Sequence, residues 1–269
     1  MEFSTEKLDF ECRELAEFLI HETGQQEGKL DVDNILQYLG LTSLQFSFDR
    51  ELPIEKNTRA LLSYPDKIIA VEENLKPERK RFSFLHEVGH YVLPNHQSSY
   101  LCDDKGLSAF SHLTHEKEAN EFAAELLFMG NQFLLQINSL PINAKTVKKL
   151  ADQYYASFES TARRLAEKNS RPCMFIRFNR NQTAQIELSG EDIWSAQYSI
   201  PSSIFKQKYG REFKGIVPCG IVNQLIRSSQ DITDSIVTQE FVNTVSGRSE
   251  MSFEYFYNQY NILAFLIPK

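Results

Sequence analysis

The sequence predicts an α+β chain in two parts: a helix-rich stretch with a small sheet over residues 1–170, then a smaller α+β stretch over 171–269. Three observations lead there. Apolar residues recur at helical spacing through much of the chain up to Glu167. Two short segments before Glu72 alternate as strands do. At Arg171-Pro172 the texture changes to strand-like alternation. A hydrophobic share of 42% in 269 residues can fill two ordinary cores and excludes wholesale disorder.

Taken in order, Asp9 to His21 places Phe10, Leu15, Phe18 and Leu19 near helical spacing, with Gly24 as a stop. A second helix is expected from Asp33 to Leu39, ended by Gly40. Leu44–Phe48 reads as a strand, and so does Lys67–Val71, entered from the turn at Tyr64-Pro65-Asp66. An apolar helix runs from Phe82 to Val92 and Pro94 stops it. Asn95–Thr114 is polar and poor in period. Glu116–Met129 is strongly helical, with Ala119, Phe122, Ala123, Leu126 and Leu127 on one face. Helices follow over Ala144–Tyr155 and Phe158–Glu167. Cys173–Phe178 and Thr183–Leu188 read as strands joined by a turn at Asn179-Arg180-Asn181; a helix after Pro218 and a strand over Asn261–Ile267 complete the pattern.

Charge narrows the function classes. The net charge is −7, and residues 171–269 contribute ten Lys/Arg against nine Asp/Glu, so the carboxylate excess lies in 1–170. That balance argues against a protein that coats nucleic acid. The N-terminus lacks signal-peptide character and no apolar run approaches a membrane span, so a cytoplasmic protein is expected. Cys12, Cys173 and Cys219 read as core thiols, with no CxxC pair among the four cysteines.

The chemistry concentrates in His86-Glu87-Val88-Gly89-His90. Residues four apart on a helix lie one above the other, so both imidazoles can share one cation, and Glu87 falls close enough to act as general base. Such a pattern arises by chance in roughly one protein per hundred of this composition. Here the flanks Phe82, Phe84, Leu85, Val88 and Val92 are apolar, and two histidines and a glutamate in a core are costly without a common partner. A catalytic zinc needs a third protein ligand and leaves one position open. Glu116, Glu118, Glu121 and Glu125 are candidates, with His112 and His115 just before them; His96 and His21 read as ordinary exposed histidines.

Arg81–His90, followed by Glu116-Lys117-Glu118-Ala119-Asn120-Glu121-Phe122-Ala123-Ala124-Glu125-Leu126-Leu127, resembles the ImmA/IrrE metallopeptidases, and the resemblance extends to Phe158–Leu165. It implies a zincin-like domain over 1–170 with zinc held by His86, His90 and Glu116, Glu87 as catalytic base, and Asn120 one turn beyond Glu116 as a supporting residue. It also implies an oxyanion partner among His112, His115 and Tyr100, and substrate alignment on the strand Lys67–Val71. Family substrates are helix-turn-helix repressors, whose cleavage derepresses a stress, mobile-element or phage-defence operon. The 171–269 segment is similar, more weakly, to a GAF-like sensory domain, which implies an activating ligand or single-stranded DNA. Cys102, in the polar loop between the two motifs, is expected as a latent fourth zinc ligand. The competing class is a non-catalytic zinc-containing module acting through 171–269; an intact Glu87 argues against it, because a structural site needs no base.

Overall fold

The computed structural model describes residues 2–26, 28–47, 59–94, 96, 109–185 and 192–269. Its fold is mixed α+β with two separate sheets. Contacts group the chain into two compact units, 1–133 with 153–156, and 134–152 with 157–269. Packing therefore divides the chain differently from the change of texture near 170. The helical residues 134–152 and 157–168 group with the C-terminal sheet, and the last of these helices packs against it through Phe158 and Phe256.

In the first unit, α1 (Glu2–Glu22) and α2 (Val32–Leu39) precede β1 (Thr42–Phe46), β2 (Ala60–Ser63) and β3 (Ile68–Glu72). The buried stripe of α1 is Cys12, Ala16, Leu19 and Ile20, the i, i+4, i+7, i+8 set, whereas Phe18 is half exposed. Asp31 caps α2 by accepting from the Asn34 amide, and Gly40 ends it in the left-handed region at φ 67°. The sheet order is β1-β3-β2, with β1 parallel and β2 antiparallel to β3. This corrects the expected use of Lys67–Val71 as a docking edge: β3 is paired on both sides, and among the described residues the outer edges belong to β1 and β2.

Two helices carry the motifs. α3 (Pro77–Val92) starts five residues earlier than expected, because Pro77 suits a first helical turn and the charged run Glu78–Arg81 continues the helix. α4 (Ala109–Leu127) also starts earlier, and Ala119, Phe122, Ala123, Leu126 and Leu127 are all buried on it. The helices meet at Gly89. A methyl group there would lie 3.1 Å from the Ala119 Cα and 3.2 Å from its carbonyl oxygen, so α3 comes this close to α4 only without a side chain. The Tyr64 hydroxyl donates to the His90 carbonyl at 2.6 Å and ties the end of α3 to the turn before β3.

The second unit holds α6 (Ala144–Tyr154) up to residue 152, α7 (Phe158–Lys168), and most of α5 (Asn131–Ser139), within which the division falls. Its sheet runs β5-β4-β8-β7-β6 and is antiparallel throughout, with β4 (Met174–Gln185), β5 (Asp192–Pro201), β6 (Ser235–Thr244), β7 (Gly247–Tyr257) and β8 (Ile262–Pro268). Met174, Ile176, Phe178, Phe253, Tyr255, Ile262, Ala264 and Leu266 face one core, closed by Phe205 of α8 (Ser203–Tyr209) and by Val222 and Leu225 of α9 (Cys219–Ser228). Phe175, Phe256 and Phe265 pack on the other face, where Phe158 of α7 meets Phe256 edge-on. Burial on both faces explains why Ile262–Leu266 is a continuous apolar run. The expected turn at Asn179-Arg180-Asn181 is absent: β4 passes through it and pairs with β5. Cys12 and Cys173 are fully buried, but Cys219 at the start of α9 is partly exposed and not a core thiol. No helix among the described residues is long and apolar enough to cross a membrane.

Candidate metal centre

α3 presents His86 and His90 one turn apart, and the Gly89–Ala119 approach brings Glu116 of α4 opposite them. The two Nε2 atoms lie 3.1 Å apart. Glu116 Oε2 is 3.2 Å from His86 Nε2, and Oε1 is 3.2 Å from His90 Nε2. Bonds of ~2.0–2.1 Å to a tetrahedral ion put donor atoms about 3.3 Å apart, so two nitrogens this close, with one carboxylate oxygen of Glu116 near each, suit a zinc ion. The other ring nitrogens are taken. His86 Nδ1 is 3.1 Å from Asn120 Oδ1, a contact that holds the ring with Nε2 turned toward Glu116. His90 Nδ1 is 3.0 Å from His96 Nδ1.

The electrostatics follow from crowding four polar groups, His86, Glu87, His90 and Glu116, at the edge of a core. His86 is raised above its usual pKa: burial opposes the charged ring, but the hydrogen bond to Glu116 and the charges of Glu87 and Glu116 outweigh it. Hydrogen bonds to His86 and His90 hold the Glu116 carboxyl far below the usual carboxylate range. Glu87 is 6% exposed, and its pKa is raised by burial, with His86 and His90 partly offsetting the shift. Its Oε2 is buried without a hydrogen-bond partner among the described residues. A buried carboxylate oxygen beside a cation site, with a lone pair to spare, is equipped to take a proton.

His96 was not foreseen here. It was expected on the surface and is instead fully buried, 2.8 Å from Glu118 Oε2 through its Nε2. Burial lowers its pKa, against the opposing hydrogen bond to Glu118. Its ring lies 4.5 Å from that of His115, so His96, His115 and Glu118 form a second group of potential ligands. Glu118, one of the four candidate zinc ligands, thus faces His96 and not the His86–His90 pair. The one signal available in the sequence was a further histidine six residues after His90. Glu125 is buried near Arg13, 3.7 Å away, and Glu121 is not part of either group. His115 sits in the second group, not the first; the side chain of His112, and Tyr100 and Cys102 altogether, lie outside the described residues.

Comparison with known proteins supplies the remaining context. A comparison with curated protein sequences finds no match. Among solved structures, one titled "Mycobacterium tuberculosis transcriptional regulator" is similar, with a TM-score of 0.58 and 15% sequence identity, covering 96% of this chain and 75% of that one. At that identity the likeness is one of fold. Residues 48–166, which include both α3 and α4, match the family model described as the IrrE N-terminal-like domain. Over that stretch the chain is thus similar to the IrrE N-terminal-like domain family, Peptidase_M78.

Proposed function

We propose that the chain is a zinc-dependent endopeptidase that cleaves a helix-turn-helix transcriptional repressor at a specific site and so derepresses the operon under its control. The observation that carries the enzymatic reading is the meeting of His86 Nε2, His90 Nε2 and the Glu116 carboxylate at contacts of 3.1–3.2 Å, with the buried Glu87 beside them. His86, His90 and Glu116 would hold the zinc. When bound, zinc supplies Lewis acidity, polarising the peptide carbonyl and making water easier to deprotonate. Glu87 takes the proton from the attacking water at its unpartnered Oε2 and passes it to the leaving amine. Asn120 orients the His86 ring, and Tyr64 holds the backbone of His90. A purely structural ion would not call for a buried carboxylate with an oxygen left over, which weighs against the non-catalytic module.

The regulatory half of the proposal draws on the family and on the transcriptional-regulator title of the similar fold. Its test is incubation of the purified protein with helix-turn-helix proteins encoded beside it, followed by mass analysis. One fragment pair is expected from wild type, and Glu87→Gln should lower the rate ~10²–10⁴-fold while retaining zinc. Equal cleavage by Glu87→Gln would rule out the assigned base.

A further inference from the structure

We propose that the outer edge of β6 is an interface between two copies of this chain, which join antiparallel about a two-fold axis at Gln239 and continue the sheet from one copy into the other. The two edges of the five-stranded sheet are finished differently. Along β5 the edge is covered: Gly215 accepts from the Ala196 amide and Trp194 from the Val217 amide, each at 2.9 Å, and the Phe213 amide donates to Ser199 Oγ at 3.1 Å. The β4–β5 ladder is also broken by a register shift between Arg177 and Phe178. β6 has neither protection. It pairs with β7 in an unbroken register from Ser235↔Phe256 to Thr244↔Gly247, and among the described residues no backbone hydrogen bond reaches its other side. Exposed edges are usually blunted by brevity, a proline, a lysine or a bulge. Ser235–Thr244 is ten residues long and contains no proline and no basic residue. Its single charge, Glu240, lies with Ile236 and Val242 on the face that packs on the core. The opposite face carries Ser235, Val237, Gln239, Phe241 and Asn243, with Val237 63% and Phe241 61% exposed. Across the ladder on that face, the charges Arg248, Glu250 and Glu254 stand one strand back on β7, and Arg248 lies over the Phe241 ring.

Register and closure pick a second copy as the partner. Side chains alternate along a strand, so two copies joined about an axis normal to the sheet keep each face continuous when the axis passes through a residue. With Gln239 opposite itself, Val237 meets Phe241 of the second copy, Ile236 meets Val242, Ser235 meets Asn243 and Thr238 meets Glu240. Every apolar residue then opposes an apolar one, and the one carboxylate opposes a hydroxyl. An axis at Glu240 instead sets two carboxylates against each other, and one at Thr238 sets Ile236 against Glu240. Closure follows from the other edge. Because β5 is covered, pairing at β6 uses the one bare edge of each five-stranded sheet and stops at two chains. Charge offers little resistance, since residues 171–269 hold ten Lys/Arg against nine Asp/Glu.

The test is sedimentation velocity of the purified full chain from nanomolar to high micromolar concentration. Wild type should pass from one chain to two and no further. Gln239→Lys sets two ammonium groups against each other at the axis, and Phe241→Lys puts a charge opposite Val237. Each should raise the dissociation constant ~10-fold or more. Both side chains are exposed, so the variants should keep the wild-type circular dichroism spectrum. Leu135→Lys, an exposed apolar position on α5, should dimerise as wild type does. The register has its own readout, because the axis position alone meets its own copy. An equimolar mixture of Gln239→Lys and Gln239→Glu should therefore recover the dimer that neither forms well by itself. A wild type that stays single at every concentration would leave the edge to a strand from another protein and overturn the proposal. Association beyond two copies, a dimer indifferent to both lysines, or a mixture no better than its components would overturn it equally.

Discussion

The two units bury different things. Around α3 and α4 the core admits four ionisable side chains, Glu87, His90, His96 and Glu125, whereas the five-stranded sheet is filled by Phe175, Phe178, Phe253, Phe256 and Phe265. Ionisable groups lose hydration on burial and are retained where partners or a ligand compensate. The aromatic core needs only shape and area. The first region is therefore built for chemistry at some expense of stability, and the second is built to hold together. Substitutions in the two should have opposite signatures.

The largest contrast is in metal content. His90→Ala, His86→Ala or Glu116→Ala should reduce zinc from one per chain to background by elemental analysis. Full zinc in any of the three would erase the distinction between the regions. In the sheet, Phe253→Ala removes a fully buried ring and should cost about 3–5 kcal/mol in urea unfolding, with zinc still stoichiometric in the folded protein. Gly89→Ala lies between the two: its methyl would press on backbone atoms of Ala119, which cannot swing aside, so about 1–3 kcal/mol and a measurable loss of zinc affinity are expected together. Loss of stability without loss of affinity would show that the approach of α3 to α4 does not set the position of Glu116. Smallest should be Asn120→Ala, where water can replace an exposed amide; a few-fold weakening of zinc binding by chelator competition is expected, well short of His86→Ala.

The parts legible in the sequence are those governed by local periodicity. His86 and His90 share a face because they are four apart, and the buried face of α4 follows from its apolar stripe. Glu116 was singled out from its neighbours by family resemblance, since four glutamates in ten residues of one helix cannot be ranked by spacing alone. His96 escaped because its burial depends on where the chain goes after Pro94, a tertiary matter with no local signature. Asn179-Arg180-Asn181 has turn composition, yet it belongs to a strand whose partner β5 extends alongside it. β6 was overlooked because its residues alternate half-buried with exposed and include Gln239, Glu240 and Asn243. Polar residues on an edge strand weaken the alternation that identifies a strand while doing no harm to pairing.

The place of β8 has a consequence for how the chain acquires its structure. β8 lies between β4 and β7, and Met174 pairs with Leu266 across about ninety residues of sequence. On the ribosome, residues 1–133 emerge well before 262–268, so α3 and α4 can dock while the later sheet still lacks its middle strand. Until that strand inserts, β4 and β7 each expose an edge flanked by phenylalanines, the kind of surface that associates with other chains. Nascent or unfolded protein should accordingly be most vulnerable through its second unit, and yield on refolding should fall with protein concentration for reasons that originate there.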